Sequence, residues 1–383
     1  MRKFWLVFFI LMIGAAPVRA ADDAPKVEAL GAVIIDHDTG RVLWGKNEHE
    51  PMAMASTTKI MTALLTIALA DLNDTVTVSA RAAAAPKVNI SLRTGEKLRL
   101  EDLVYALMLQ SANDAAVAIA EHVSGSVEEF CKKMTARAAE LGALNTVFGT
   151  PNGLDAEPHH STAYDMALIA RAAISNPEFI RITNTQETVF SSDKRQYHMY
   201  NRNRLLREYD GANGVKTGFT GRAGHCFVGA AKRGDMQLIS VVFASGWGDR
   251  GKAQKWVDTK RLLDYGFSSF EYRDIIHDRA QAGKVAVTRS KTPEISLYYA
   301  DGLRLPLTEA ERSSLRVEIE APVSVMPPVA AGDSIGAAHV YIGQDLYTSI
   351  ALLTAEGATR HDFETSLRKI LAEWFNMAGS FGD

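Results

Sequence analysis

Cysteine is nearly absent from this chain: 383 residues carry only Cys131 and Cys226. Two thiols cannot build a disulfide framework, so stability has to come from packed cores. Cys131 falls in a helical pattern and Cys226 in a strand pattern, which predicts two buried free thiols rather than a bridge. Charge of one sign is lacking as well. The formal net charge is −3, without the basic excess that a nucleic-acid surface requires. Histidines that could share a metal are missing too, since the adjacent pair His159-His160 is poorly placed to do so from one helix or strand face. Both read as surface or cap residues, and no cofactor is expected.

What is present is ample apolar material, at 47% of residues, and a length that favours two domains. The first twenty residues read as a signal peptide. Met1-Arg2-Lys3 is basic, Phe4 to Ala16 is apolar but short for a membrane span, and Val18-Arg19-Ala20 is a small-residue cleavage site. Export to the periplasm or the outer face of the cytoplasmic membrane is the expectation.

Residues 21–267 read as one α+β domain. Ala32–Asp36 and Arg41–Trp44 predict a hairpin turned by His37-Asp38-Thr39-Gly40, and His225–Ala231 with Gln237–Ala244 predict another. Between them lies a helical block: a segment from Ser56 that is apolar on nearly every side, then Leu103–Leu109, Ala115–Val123, Val127–Leu141 and Ala163–Ile174. Strands at both ends around a helical block imply an antiparallel sheet closed by distant segments. Residues 268–356 show short strands at Lys284–Thr288, Ile295–Tyr299, Leu315–Glu320 and His339–Ile342, the pattern of a small all-β domain. In residues 357–383, Phe363, Leu367, Ile370, Leu371, Trp374 and Phe375 form one apolar stripe of an amphipathic helix.

Three short motifs stand in order: Ser56-Thr57-Thr58-Lys59, Ser111-Ala112-Asn113 and Lys216-Thr217-Gly218. Each alone is weak. Ser-x-x-Lys recurs at Ser191/Lys194 and Ser366/Lys369, Arg93-Thr94-Gly95 nearly copies the third motif, and Ser111 to Asp114 also reads as a helix capping box. Context separates them. A lysine on a helix that is apolar all round is costly to bury as an isolated charge, so Lys59 has to be paired or shifted in pKa.

Their chemistry is coherent. One helical turn brings Lys59 to Ser56, so a neutral lysine can take the hydroxyl proton where histidine is absent. Free N–H groups at a helix start favour an oxyanion. Ser111 can relay a proton to a leaving amine, Asn113 can hold a peptide-like substrate, and Lys216 with Thr217 offers a charge and a hydroxyl to a carboxylate. Gly218 leaves room for a substrate to lie against the strand edge.

With Thr150-Pro151-Asn152-Gly153-Leu154-Asp155, His160-Ser161-Thr162-Ala163, Asn201-Arg202-Asn203 and Gly214 to Thr220, these motifs resemble the penicillin-binding D-alanyl-D-alanine carboxypeptidases over nearly the whole chain. The resemblance implies a β-lactamase/transpeptidase-like catalytic domain with Ser56 as acyl-ester nucleophile and Lys59 as its proton acceptor. Ser111, with Lys216 nearby, would pass that proton to the departing D-alanine. Backbone N–H groups of Ser56 and Phe219 would hold the oxyanion, and Thr217 and Arg250 the terminal carboxylate. It further implies peptidoglycan stem peptides as substrate, β-lactams as inhibitors, no metal, and a terminal helix resting on a membrane surface.

Three rivals share part of the pattern. A secreted β-lactamase would need a Glu-x-x-x-Asn segment between Asn113 and Lys216, which is missing. A D,D-endopeptidase would use the same residues on a larger leaving group. A non-catalytic wall-binding scaffold would have no use for the intact motif set.

Overall fold

The computed structural model describes residues 24–360 and, beyond them, Leu367, Arg368, Ile370, Leu371, Ala372 and Trp374. It separates into two compact units, the first ending at Ser269 and the second beginning at Phe270.

The first unit is built on a five-stranded antiparallel sheet. In chain order its strands are β1 (Gly31–Asp36), β2 (Val42–Lys46), β3 (Ala212–Thr220), β4 (Gly224–Arg233) and β5 (Met236–Phe243). Their spatial order is β2-β1-β5-β4-β3, so the first unit's opening hairpin and its last three strands complete one sheet. β1 and β5 are buried along their whole length, which is why both read as continuous apolar runs rather than alternating ones. A helical block fills the gap in sequence: α1 (Lys59–Leu69), α2 (Asn113–Ser124), α3 (Val127–Glu140) and α4 (Ala163–Ile174). Helix α4 packs on β1 and β5 and also on α1, while α5 (Gly248–Ser269) packs on β4 and β5.

Helix α1 is the centre of this unit. Ile60, Met61, Ala63, Leu64 and Leu65 are all buried, and the larger of these side chains contribute roughly 1.5–3 kcal/mol each by leaving water. That burial fixes the place of Lys59, at the helix start. Thr162 caps α4 by accepting the N–H of Asp165, and Ser126 caps α3 by accepting that of Glu129. Cys131 and Cys226 are both buried and free.

Three expectations need correction here. Ser111 does not cap α2. The cap position is Ala112, and Ser111 instead ends a π-helical turn (Ala106–Gln110) with a left-handed φ of 64°. His159 is not a surface residue, because only 4% of it is exposed. The 22-residue α5 was not expected at all.

The second unit is a six-stranded sheet in the order Leu315–Glu320, Ser334–Ile342, Asp345–Thr354, Glu294–Tyr299, Gln281–Val287 and Ser324–Val325. A two-stranded ribbon, Glu271–Ile276 with Leu303–Leu307, accompanies it. Val285, Ile295, Leu297, Ala338 and Leu352 form its own core. In the tail, the six described residues are helical and exposed. The rest of the predicted terminal helix and the predicted signal peptide lie outside the described residues. None of the described helices is long and apolar enough to cross a membrane.

Candidate active site

The Ser56 hydroxyl sits on a short 3-10 turn, Ala55–Thr58, that leads directly into α1. Ala55 has a φ of 48°, in the left-handed region that a Cβ disfavours. The turn is held by its own threonines: Thr57 Oγ1 donates to the carbonyl of Met54 at 2.6 Å and Thr58 Oγ1 to that of Ala55 at 2.8 Å. Glycines let two other segments close on it. A Cβ at Gly153 would come within 2.0 Å of the Ala55 carbonyl oxygen, and one at Gly218 within 3.0 Å of the Ser56 nitrogen. The Lys-Thr-Gly strand and the 149–154 loop therefore both lie against the nucleophile turn.

Lys59 is fully buried and has three polar neighbours. Its Nζ is 2.9 Å from Ser56 Oγ, 2.8 Å from Asn113 Oδ1 and 2.5 Å from the carbonyl oxygen of Asn152. The Asn113 amide is fixed in this sense because its Nδ2 donates to the carbonyl of Pro86 at 3.0 Å. A neutral amine has two N–H donors and one lone pair. The two oxygens that can only accept take the donors, so the lone pair faces the Ser56 hydroxyl. The direction of its pKa shift agrees with this count. Burial holds Lys59 well below the usual lysine range and the charge of Lys216 adds to it, against the opposing pull of Asp114.

Lys216 is equally buried. Its Nζ donates to the carbonyl of Thr217 at 3.1 Å, and its pKa is pushed down to about 7 by burial first, then by Arg202 and Lys255. Thr217 is half-buried, and Phe219 is exposed with its ring 4.4 Å from that of His225. His225 Nδ1 in turn lies 3.4 Å from Lys255 Nζ, and burial lowers the Lys255 pKa to about 8. This edge is thus a focus of positive charge.

Ser56, Lys59 and Asn113 are brought together by direct contact, and Lys216 acts on Lys59 through its charge. Ser111 is 8% exposed and lies two residues before Asn113, in the left-handed conformation already described. Arg250 is exposed in the first turn of α5 and pairs with Glu28 at 2.8 Å. The rejected Ser-x-x-Lys at Ser191/Lys194 falls on a hairpin, where Lys194 reaches the carbonyl of Thr94, and Ser366/Lys369 lies outside the described residues. Sequence reasoning missed the Asn152 carbonyl, Arg202 and Lys255 as members of this site. Asn152 and Arg202 stood in segments that supported the resemblance, whereas Lys255 gave no signal. Among the described residues, no group of three or more His, Cys, Asp or Glu side chains could hold a metal.

Comparison with known proteins finds matches to both units. The sequence model of the D-alanyl-D-alanine carboxypeptidase family matches residues 18–246, and that of the C-terminal domain of penicillin-binding protein 5 matches residues 270–360. D-alanyl-D-alanine carboxypeptidase DacF of Bacillus subtilis is 34% identical over 382 residues, covering 96% of this chain and 97% of that protein. Penicillin binding protein 5 from Haemophilus influenzae superposes with a TM-score of 0.76 at 28% identity, covering 91% of this chain and 100% of the other. A D-alanyl-D-alanine carboxypeptidase structure from Mycobacterium tuberculosis H37Rv gives 0.61 at 34% identity, over 66% of this chain and 96% of its own. A buried lysine bonded to a half-buried serine, and family matches that span both units, lead to one assignment: the chain belongs to the D-alanyl-D-alanine carboxypeptidase family.

Proposed function

We propose that this serine D-alanyl-D-alanine carboxypeptidase works through an acyl-enzyme on Ser56, with Lys59 as the base that takes its proton. The observation that carries this is the contact set of Lys59: two committed acceptors and one serine hydroxyl, which leaves a neutral amine only one use for its lone pair. Ser56 Oγ attacks the carbonyl between the last two D-alanines of a peptidoglycan pentapeptide stem while its proton passes to Lys59 Nζ. The N–H groups of Ser56 and Phe219 stabilise the tetrahedral oxyanion. The proton taken up by Lys59 passes through the Ser111 hydroxyl to the departing amine, the C–N bond breaks, and D-alanine leaves. Water then hydrolyses the Ser56 ester and releases a tetrapeptide stem.

The substrate lies as an extra strand along β3, with its terminal carboxylate near Thr217 and the positive edge formed by Lys216, Arg202 and Lys255. Arg250, exposed and held only by a surface pair with Glu28, joins that edge on the terminal carboxylate. A β-lactam, as a mimic of the D-alanyl-D-alanine end, acylates the same serine.

The N-terminal sequence supports export, with the enzyme acting outside the cytoplasmic membrane. Exposed Leu367, Ile370, Leu371 and Trp374 support a terminal helix that rests its apolar stripe on that membrane's outer face.

Intact-mass spectrometry and peptide mapping after exposure to benzylpenicillin test the assignment. One adduct on Ser56, absent in Ser56→Ala, is the expected result. A lasting adduct separates the carboxypeptidase from a β-lactamase, whose ester would turn over at once. An adduct on any other residue, or none in folded protein, removes Ser56 from its role.

A further inference from the structure

Behind the nucleophile turn runs a chain of hydrogen bonds that the reaction scheme does not use. Gly149 N–H donates to His159 Nδ1 at 3.0 Å, and His159 Nε2 lies 3.1 Å from Thr58 Oγ1. Thr58 Oγ1 lies 2.8 Å from the carbonyl oxygen of Ala55. The two ends set the direction of every bond between them. A backbone N–H can only donate, so Nδ1 of His159 carries no proton and Nε2 does. A carbonyl can only accept, so the Thr58 hydroxyl gives its hydrogen to Ala55 and receives one from His159. Each hydrogen is used once.

The imidazole is well held for this task. His159 and Thr58 are buried, and the Phe148 ring meets the imidazole edge-on at 6.2 Å. Burial lowers the His159 pKa to about 4, with Asp155 opposing and His160 and Arg222 adding to the shift. The ring is therefore neutral, as the bonding pattern demands.

The far end of the chain is what gives it meaning. The carbonyl of Ala55 and the N–H of Ser56 belong to one peptide plane. Whatever pins that oxygen also aims that hydrogen, and a hydrogen bond to the carbonyl strengthens the amide as a donor. Ala55 is in the left-handed region, so this plane is not one the backbone would choose unaided.

We propose that His159 is a positioning residue for the oxyanion hole, acting through Thr58 and the Ala55 carbonyl to aim the N–H of Ser56. The inference rests on the reading of that N–H as an oxyanion donor. It goes further in naming a buried histidine, remote from the substrate, on which that donor depends.

The test measures two quantities on the full chain with benzylpenicillin: the acylation rate constant per titratable site, and the infrared stretch of the resulting ester carbonyl. Donors aimed at the ester oxygen lower that stretch relative to the unfolded acyl-enzyme. His159→Leu removes both ring contacts and is expected to slow acylation about 10- to 100-fold, part of the ~10²–10³ that loss of a whole oxyanion donor costs. Its ester band should move up toward the unfolded value, with the dissociation constant before acylation unchanged. His159→Gln, which can still donate to Thr58, should recover much of both. Thr58→Val should match His159→Leu, and the double variant should be no slower than either single one, since all break the same chain.

A wild-type rate and band in folded His159→Leu overturn the proposal. So does a variant that merely loses titratable sites while the remaining ones react normally, because that is a stability effect alone. If His159→Leu does not fold, Thr58→Val decides by the same two readings. A wild-type ester band equal to that of the unfolded acyl-enzyme would instead show that no donor reaches the ester oxygen. The oxyanion reading then fails first, and the role of His159 with it.

Discussion

Asn113 presents its amide oxygen to Lys59 at 2.8 Å because its amide nitrogen is already committed to the carbonyl of Pro86. The asparagine is thus a fixed, uncharged acceptor beside an amine that has to stay neutral. Replacing it by a carboxylate keeps an acceptor there but adds a charge that favours the ammonium form. Asn113→Asp should therefore raise the pKa of Lys59 and slow acylation at neutral pH by about 100-fold or more, from the lower end of what loss of a general base costs upward. The rate should recover as pH rises through the new value. Asn113→Ala, which only removes one acceptor, should cost less and leave the profile nearly in place. Stopped-flow acylation by a chromogenic cephalosporin across pH reads both, and an unshifted profile in Asn113→Asp would rule out the coupling.

Lys216 bears on the same equilibrium from the other side. Its charge is among the causes that depress Lys59, after burial itself. The base works only when deprotonated, so acylation falls as pH drops through the folded-state pKa of Lys59. Lys216→Gln removes a repelling charge, lets that pKa rise, and should move the acid limb to higher pH. Rates at low pH then suffer more than rates at high pH. A uniform loss at all pH values would mean that Lys216 acts on substrate alone.

Much of this site could be read from residue types, and the parts that could not share a physical reason. Ser56, Lys59, Asn113 and Lys216 are chemistry-bearing side chains on segments whose burial pattern is plain in the sequence. The Asn152 carbonyl is backbone, and every residue has one, so no residue type signals it. His159 looked like a surface residue because the sequence does not show that both ring nitrogens find partners in the interior. Helix α5 was missed because its mean character is polar. Its buried face includes Lys255, Asp258, Thr259 and Gly266 beside Trp256, Leu262 and Leu263, which blurs the apolar stripe. The antiparallel pair Thr75–Thr77 with Lys97–Arg99 is only three residues long on each side, too short for alternation to show.

Gly153 is the glycine on which the nucleophile turn leans. It has a φ of 83°, and a Cβ there would come within 2.0 Å of the Ala55 carbonyl oxygen, a backbone atom that cannot swing aside. Gly125 offers a control, with a φ of 77° and nothing within 4 Å of the same virtual atom. Gly125→Ala should cost only the conformational penalty, about 1–2 kcal/mol of stability. Gly153→Ala should cost more and also slow acylation, since relief of the clash has to displace Ala55 and with it Ser56. Denaturant unfolding and acylation rates measured on both variants give the comparison. Equal losses, with Ser56 still reacting normally, would show that the turn tolerates the displacement.

Each unit has its own core, the first around α1 and the central sheet, the second around Val285, Ile295, Leu297 and Leu352. None of the residues placed in the reaction lies beyond Lys255. A chain ending at Ser269 should therefore fold and acylate benzylpenicillin at close to the full-length rate, because all its catalytic contacts are internal. Deleting only residues 361–383 should leave the acylation rate unchanged and release the protein from vesicles of anionic phospholipid. The two truncations separate two roles. Slow acylation in the shorter chain would assign the second unit a part in shaping the active site. Undiminished vesicle binding after loss of residues 361–383 would take the proposed membrane role away from this segment, where Leu367, Ile370, Leu371 and Trp374 are exposed among the described residues.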